Sequence, residues 1–521
     1  MATDSTPLAN RGMPEELAGV ITDVVPSCKR RNSTIWLFLL GCILTCITNF
    51  PSAYVHTATN TAVKSLEHYI NSSYAARGLY DIEVTHITGI YYSSWYAGQV
   101  VGALFSPYIT DVYGRKSAYI IATAVMTIAC VFQTLATYTS YPELLIIGRV
   151  IASMFSPMSD AVLILYLQEV SPTELRGVMS SLMATGYAAM AVLGIVLGTE
   201  GVLGYSLTTL LFVPVIPGVL ALIFLAYLEE TPKFLAITKD QKDNAKRALR
   251  FYRGNISDDE CEAIIDTYDN EKHTDNDKHA SFSHVITKKH LRKALSLSFV
   301  LLLLTLPFYP ILQASTAIYT SIHIPPSIAQ ISSTITMVAL LIACLFAALC
   351  LKHFGRVTLI MGFGTLSFLS LAVFSFTAHY SQEFPSLKYA AFGGVVCYII
   401  CYGLAIGPIS YFIATELVPL QYRSSMFCIV FSLNSVLVVA ATYLTAIALK
   451  HCGALIFLPM FVFPSGMAVI YLGRHLPETK GREINSIVEE LKGNKEEKKK
   501  NKKTKLEKIN ETQVEPEVPD V

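Results

Sequence analysis

The chain has 521 residues, of which 52% are hydrophobic and 15% charged, with a mean hydropathy of +0.46 and a formal net charge of +1. Soluble proteins carry about 25% charged residues, so a wholly soluble fold is excluded, and the near-neutral charge gives no basis for a nucleic-acid partner. Eleven cysteines would suit a disulfide scaffold, but Cys42, Cys46, Cys130, Cys344, Cys350, Cys397 and Cys401 lie inside apolar runs, where a free thiol packs as a small hydrophobe.

The first 33 residues form a polar leader ending in Lys29-Arg30-Arg31. The apolar run that starts near Thr34 continues too far for the core of a signal peptide. Twelve such runs follow one another, centred roughly near residues 45, 98, 127, 156, 188, 217, 306, 340, 368, 402, 436 and 463. Each has about 20 residues, enough to span about 30 Å as a helix. The fold class is therefore an all-α membrane protein with twelve transmembrane helices. Six runs fall in residues 34–228 and six in 293–474, separated by a polar linker at 229–292. Within the linker, 243–253 reads as an amphipathic helix. The tail, 475–521, is charged and repetitive beyond about 492 and is expected to be disordered; its lysines can contact anionic lipid.

Lys and Arg gather before the first run, between the second and third, fourth and fifth, eighth and ninth, and tenth and eleventh, and in the linker and tail. The positive-inside rule places all of these in the cytoplasm with both termini. A plasma-membrane location is the matching expectation. The longest exterior loop, about 57–86, carries the sequon Asn71-Ser72-Ser73, a glycan acceptor. Trp36 and Tyr91-Tyr92 suit the membrane interface. Gly98-x3-Gly102 and Gly194-x3-Gly198 permit close helix packing, and Pro107, Pro157, Pro214, Pro217, Pro310 and Pro408 allow kinks near a cavity.

Three signals occur twice, at a separation of roughly 240 residues. Gly114-Arg115 matches Gly355-Arg356. Glu169-Val-Ser-Pro172-x3-Arg176 matches Glu416-Leu-Val-Pro419-x3-Arg423, and Glu229-Glu-Thr-Pro-Lys233 matches Pro477-Glu-Thr-Lys480. A duplicated six-helix unit is the pattern of a two-halved secondary transporter. Each proline ends a helix and forces a turn, so each Glu can meet the Arg seven residues on, and both can reach the Gly-Arg loop. Asp111, Arg115, Glu169, Arg176, Arg356, Glu416 and Arg423 form the expected cytoplasmic gate. Partly hydrated ion pairs are weak, which suits a latch that joins two halves in one state and parts in another.

Gly148-Arg149, Asp111-Val-Tyr-Gly-Arg115-Lys116, Glu169-Val-Ser-Pro-x3-Arg176-Gly177, Glu230-Thr-Pro-Lys-Phe-Leu235 and Pro477-Glu-Thr-Lys-Gly-Arg482 resemble the sugar-porter branch of the major facilitator superfamily, and the facilitative glucose transporters most of all. The resemblance covers about residues 34–490. It implies two pseudo-symmetric six-helix bundles around a central solute site reached alternately from each side. The sugar-contact positions of that family fall on Ala184, Tyr309, Pro310, Ser315, Leu340, Gly403, Tyr411 and Asn434. Among these only Asn434 keeps the family identity; Tyr54 and Asn60 match more weakly. Losing amides removes partners that discriminate a hexose, while Gln313, Ser315, Thr316, Tyr319 and Thr320 can rebuild a polar face one turn away.

Asp160 is a gain at a position where the resemblance implies a neutral residue. It stands nine residues before Glu169, about 13 Å along a helix, and a carboxylate at that depth marks a functional site. His56 and Asn49 are weaker candidates. The expected solute contacts are Asp160, Gln313, Ser315, Tyr411 and Asn434. The expected function is alternating-access facilitated diffusion of a small organic solute, a sugar or sugar-like molecule first. Proton-coupled carriage of a charged or non-hexose solute through Asp160 and a transport-dead paralogue acting as sensor or partner subunit are the alternatives. No P-loop, metal cluster or nucleophile–base set stands out, so an enzyme, a cofactor and a metal are not expected.

Overall fold

The computed structural model describes residues 35–81, 83–171, 176–254, 256–275, 282–419, 422–480, 482 and 484–492. The N-terminal segment with Lys29-Arg30-Arg31, the Pro172 turn expected from the sequence and the lysine-rich tail lie outside them, as do the side chains of Arg176 and Tyr411. Every regular element among the described residues is helical. The spanning elements are α1 (Ile35–Thr61), α2 (Val84–Tyr113), α3 (Arg115–Ala136), α4 (Pro142–Val170), α5 (Arg176–Leu197) and α6 (Leu207–Tyr227) in the first half. The second half holds α7 (Lys289–Leu302 and Phe308–Ser321), α8 (Pro326–His353), α9 (Arg356–His379), α10 (Leu387–Glu416), α11 (Arg423–Cys452) and α12 (Leu458–Val462 continuing as Phe463–His475). Eight helices are each long and apolar enough to cross a bilayer. Large apolar side chains such as Leu104, Ile128, Leu135, Leu345, Leu349 and Phe463 stay exposed on the outside, a surface that only hydrocarbon would cover.

Prolines set the interruptions. Proline removes an i→i−4 hydrogen bond, and a wider π turn absorbs the mismatch. Pro51 lies in the π turn Phe50–Tyr54 of α1, and Pro459 in Leu458–Val462 of α12. Pro408 follows the π turn Tyr402–Ile406 of α10. Helix α7 is broken ahead of Pro307 and kinked again at Ala314, where φ/ψ are −135/22°.

Helices pack closest where a side chain is missing. A Cβ on Gly102 of α2 would lie 2.1 Å from the Met154 carbonyl oxygen of α4, and one on Gly198 of α5 would lie 2.1 Å from that of Ala58 in α1. Both small-residue pairs read from the sequence therefore sit at helix crossings. The halves meet along three seams, α1/α7, α2/α11 and α5/α8.

Several details differ from the sequence reading. Much of residues 57–86 is not loop: Val63–Ala76 is a helix that buries Leu66, Ile70, Ser73 and Tyr74 on one face and leaves Asn71 exposed. Tyr91 and Tyr92 are buried at 1% and 3% exposure rather than placed at an interface, because Tyr91 packs beneath the Arg149 guanidinium. Cys46 is exposed on the outside of α1, since its position on the helix turns away from the bundle. The linker helix Lys242–Arg253 follows its amphipathic pattern, with Ala245, Ala248, Leu249 and Tyr252 buried. Arg253 donates to the carbonyls of Val170 and Ser171 at 3.4 Å, which docks this helix on the first half.

Candidate functional site

Both Gly-Arg loops build the same cluster at the end of the molecule that carries the linker. In the first half, Arg115 donates through Nε and Nη2 to Glu169 Oε1 at 3.1 Å, and through Nη1 to the Thr110 carbonyl at 3.3 Å. Asp111 lies 3.6 Å from Arg115 Nη1. Glu169 Oε2 accepts from Thr231 Oγ1 at 2.5 Å. The neighbouring Glu230 carboxylate accepts from the Lys116 and Thr231 amides at 3.0 and 2.9 Å, sealing the N-terminus of α3, where the helix dipole favours an anion. Burial pushes the Glu230 carboxyl above its ordinary range, although those amides and Arg115 pull it down.

The second half repeats the Arg–Glu–Glu-Thr core of this arrangement, with Lys352 at the position of Asp111. Arg356 Nη2 donates to Glu416 Oε1 at 3.3 Å, and Nη1 to the Leu351 carbonyl at 3.3 Å, again five residues back. Glu416 also meets Thr479. Glu478 accepts from the Arg356 and Val357 amides at 2.7 and 3.1 Å at the start of α9. Gly114 and Gly355 leave room for this, since a Cβ would lie 2.4 Å from Glu230 Oε2 and 2.3 Å from Glu478 Oε2.

Two expectations change here. Both glutamates reach their Gly-Arg loop, Glu169 pairing with Arg115 and Glu416 with Arg356; in the second half Arg423, seven residues on, keeps a buried Nε without a partner, and the Arg176 side chain lies outside the described residues. Each of these pairs is closed within its own half rather than across the two. Helix direction decides this, because the loop between the second and third helix of each half folds under the end of the fourth. Glu230, Thr231, Glu478 and Thr479 were not named as site residues, although the repeated Glu-Thr was visible.

Among the described residues, the bonds that cross between the halves lie toward the opposite, far end of the molecule. Asn60 of α1 enters the kink of α7: its Nδ2 donates to the Leu312 carbonyl at 2.9 Å and its Oδ1 accepts from the Thr316 amide at 3.0 Å. Those backbone groups would bond each other in an unbroken helix, so the Asn60 amide is spliced into the α7 ladder. Asn60 also donates to Ser315 Oγ at 2.8 Å. Arg149, fully buried, donates to Gln313 Oε1 at 3.0 Å, to Tyr91 Oη at 3.1 Å and to the Val55 carbonyl at 3.4 Å. It stands two turns inside α4, which opens at Pro142. Gln330 joins α8 to Thr61 and Glu200, Lys450 pairs with Glu83, and His86 meets Tyr443 at 3.2 Å.

The expected solute contacts separate accordingly. Gln313 and Ser315 are engaged in the seam. Asn434 lines a small pocket with Leu302, Tyr309, Ser410, Phe427, Val430 and Phe431; its Nδ2 donates to Tyr309 Oη at 2.9 Å, leaving Oδ1 buried and without a partner. Asp160 lies on α4, part-exposed. His56 is held by Tyr187 at 3.0 Å and edged against Trp95.

The model of the family described as "Sugar (and other) transporter" matches residues 40–491. The chain belongs to this sugar transporter family. Among its relatives, human solute carrier family 2, facilitated glucose transporter member 3, is 22% identical over 463 residues, covering 86% of this chain and 90% of that one. Chicken (Gallus gallus) member 1 is 22% identical over 445 residues, covering 82% and 88%. The inward open conformation of the xylose transporter XylE from E. coli superposes with a TM-score of 0.69 at 15% identity, over 87% of this chain and 99% of that one. XylE bound to 6-bromo-6-deoxy-D-glucose gives 0.66 at 15% identity. These structures share with the present sugar transporter family member the major facilitator fold: two six-helix bundles facing each other.

Proposed function

We propose that this protein moves a small organic solute of the sugar or sugar-like class down its gradient by alternating access. The observation that carries the reading is the duplicated Arg–Glu–Glu-Thr cluster. Each bundle is braced internally at the linker end, while the bonds joining the bundles gather at the far end. Such a molecule can rock its halves as rigid bodies about the solute cavity. The linker end is read as cytoplasmic from its basic residues, which leaves Asn71 outside as a glycan acceptor, and the plasma membrane is the proposed location. Asp111, Arg115, Glu169, Arg176, Arg356, Glu416 and Arg423 act as the gate, and Asn434 and Tyr411 as solute contacts in the second half.

Saturable uptake of radiolabelled D-glucose, D-xylose or related solutes into proteoliposomes, unaffected by an imposed pH gradient, is the expected result. Absence of flux across a broad solute panel would favour a sensor or partner subunit instead.

A further inference from the structure

Asp160 is expected from the sequence as a solute contact, but facilitated diffusion of a neutral sugar gives its charge no partner. It follows Arg149 by eleven residues on α4, three helical turns on, so the two share one face about 16 Å apart along the axis. Arg149 uses that face to cross to Gln313 of the other half, so Asp160 looks toward the space between the bundles. It sits deep in the protein yet keeps part of its surface open, a combination that fits a cavity wall. Neighbouring hydroxyls are already committed: Ser159 donates to Thr48 at 3.3 Å, and Tyr119 donates to the Leu44 carbonyl at 2.6 Å. The arginines that lie toward either end of α4 are committed too, Arg149 to Gln313 and Tyr91, and Arg115 to Glu169 and Asp111. No described side chain forms an ion pair or hydrogen bond with Asp160.

On the second half, the Asn434 carbonyl is a second open acceptor, flanked by Tyr309, Phe427 and Phe431. Acceptors and ring faces complement a group that only donates and carries positive charge. An unpaired carboxylate at this depth is costly unless it takes up a proton or an opposite charge meets it.

We infer that the cavity recognises a small organic cation, a solute whose protonated primary amine is held by Asp160, with an amino sugar as the form compatible with the carrier reading on which this inference rests. Three probes differ only at this feature: 2-amino-2-deoxy-D-glucose, its neutral N-acetyl derivative and D-glucose. The purified full chain should gain thermal stability with the amine at concentrations where neither neutral sugar acts, and proteoliposomes should take up the amine in preference. Asp160→Asn should weaken the amine response at least tenfold while its ligand-free melting temperature stays put; Asp160→Glu should keep the preference. Equal responses of wild type to all three probes would overturn the inference, as would an Asp160→Asn variant that binds the amine like wild type. Neutral-sugar flux without amine preference leaves the carrier reading standing and the cation site refuted. Amine binding lost in Asp160→Asn, with no flux of any solute, does the reverse.

Discussion

Replacing Asn60 with alanine should release the far end of the molecule. The Asn60 amide supplies one donor to Leu312 and one acceptor to Thr316, on either side of the α7 kink at Ala314, and a further bond to Ser315. All are buried. A neutral hydrogen bond is worth about 0.5–1.5 kcal/mol net, and a buried group left unsatisfied costs about 1–3 kcal/mol. Three bonds therefore give roughly 2–4 kcal/mol, reduced by about 1 kcal/mol if α7 straightens and the Thr316 amide recovers the Leu312 carbonyl. When the far end opens, water can serve these groups in either variant, so the loss falls on the closed state alone. A net change of about 2 kcal/mol is a shift of roughly thirtyfold in the closed-to-open ratio, since about 1.4 kcal/mol is tenfold. Distance distributions between spin labels at Tyr80 and Tyr389, both exposed toward the far end, would read it directly. Asn60→Ala should populate a longer distance that wild type lacks. An unchanged distribution, or one shifted toward shorter distances, would refute the idea that the Asn60 splice holds the bundles together.

The two glycines of the repeated loops should respond unequally to alanine. Both meet a glutamate, but Gly114 has φ +101°, where side chains are strained by about 1–3 kcal/mol, whereas Gly355 has φ −73°. Gly114→Ala should therefore lower the melting temperature more than Gly355→Ala, and equal losses would contradict this account. Glu416→Gln should leave Arg356 and Thr479 without their carboxylate partner and slow solute exchange several-fold in proteoliposomes, with the matching effect in Glu169→Gln; wild-type rates in both would remove the clusters from the gate. Hydrogen bonding to Lys450 draws the Glu83 carboxyl below its ordinary value. A depressed carboxyl contributes above its unfolded value of about 4.3 and is lost as pH falls through the lower folded value, so its part of the far-end contact should hold from pH 8 to 5 and fail only below the usual glutamate range. The Tyr80–Tyr389 distance against pH in wild type and Glu83→Gln would show whether the variant alone lacks that acid step. Asn71→Gln should remove a glycan shift on gels of protein from a secretory host.

Residue pattern alone determined the membrane class, the doubling, the family and most members of both clusters. Hydropathy sums over about 20 residues and needs no knowledge of neighbours, and a repeated motif declares itself by its spacing. Contacts between distant helices were another matter. Which residue faces Glu416 depends on how α8, α9 and α10 are rotated and tilted, and only the packed structure chose Arg356 over Arg423, the nearer Arg in sequence. The Asn60 splice needs a kink at Ala314, a backbone event 254 residues away that no local signal announces. Gln313 and Ser315 read as free polar residues on a helix face until the opposite bundle supplied Arg149 and Asn60 to occupy them. Asp160 was visible from the start as a charge in an apolar run; the fold added that among the described residues no side chain forms an ion pair or hydrogen bond with it.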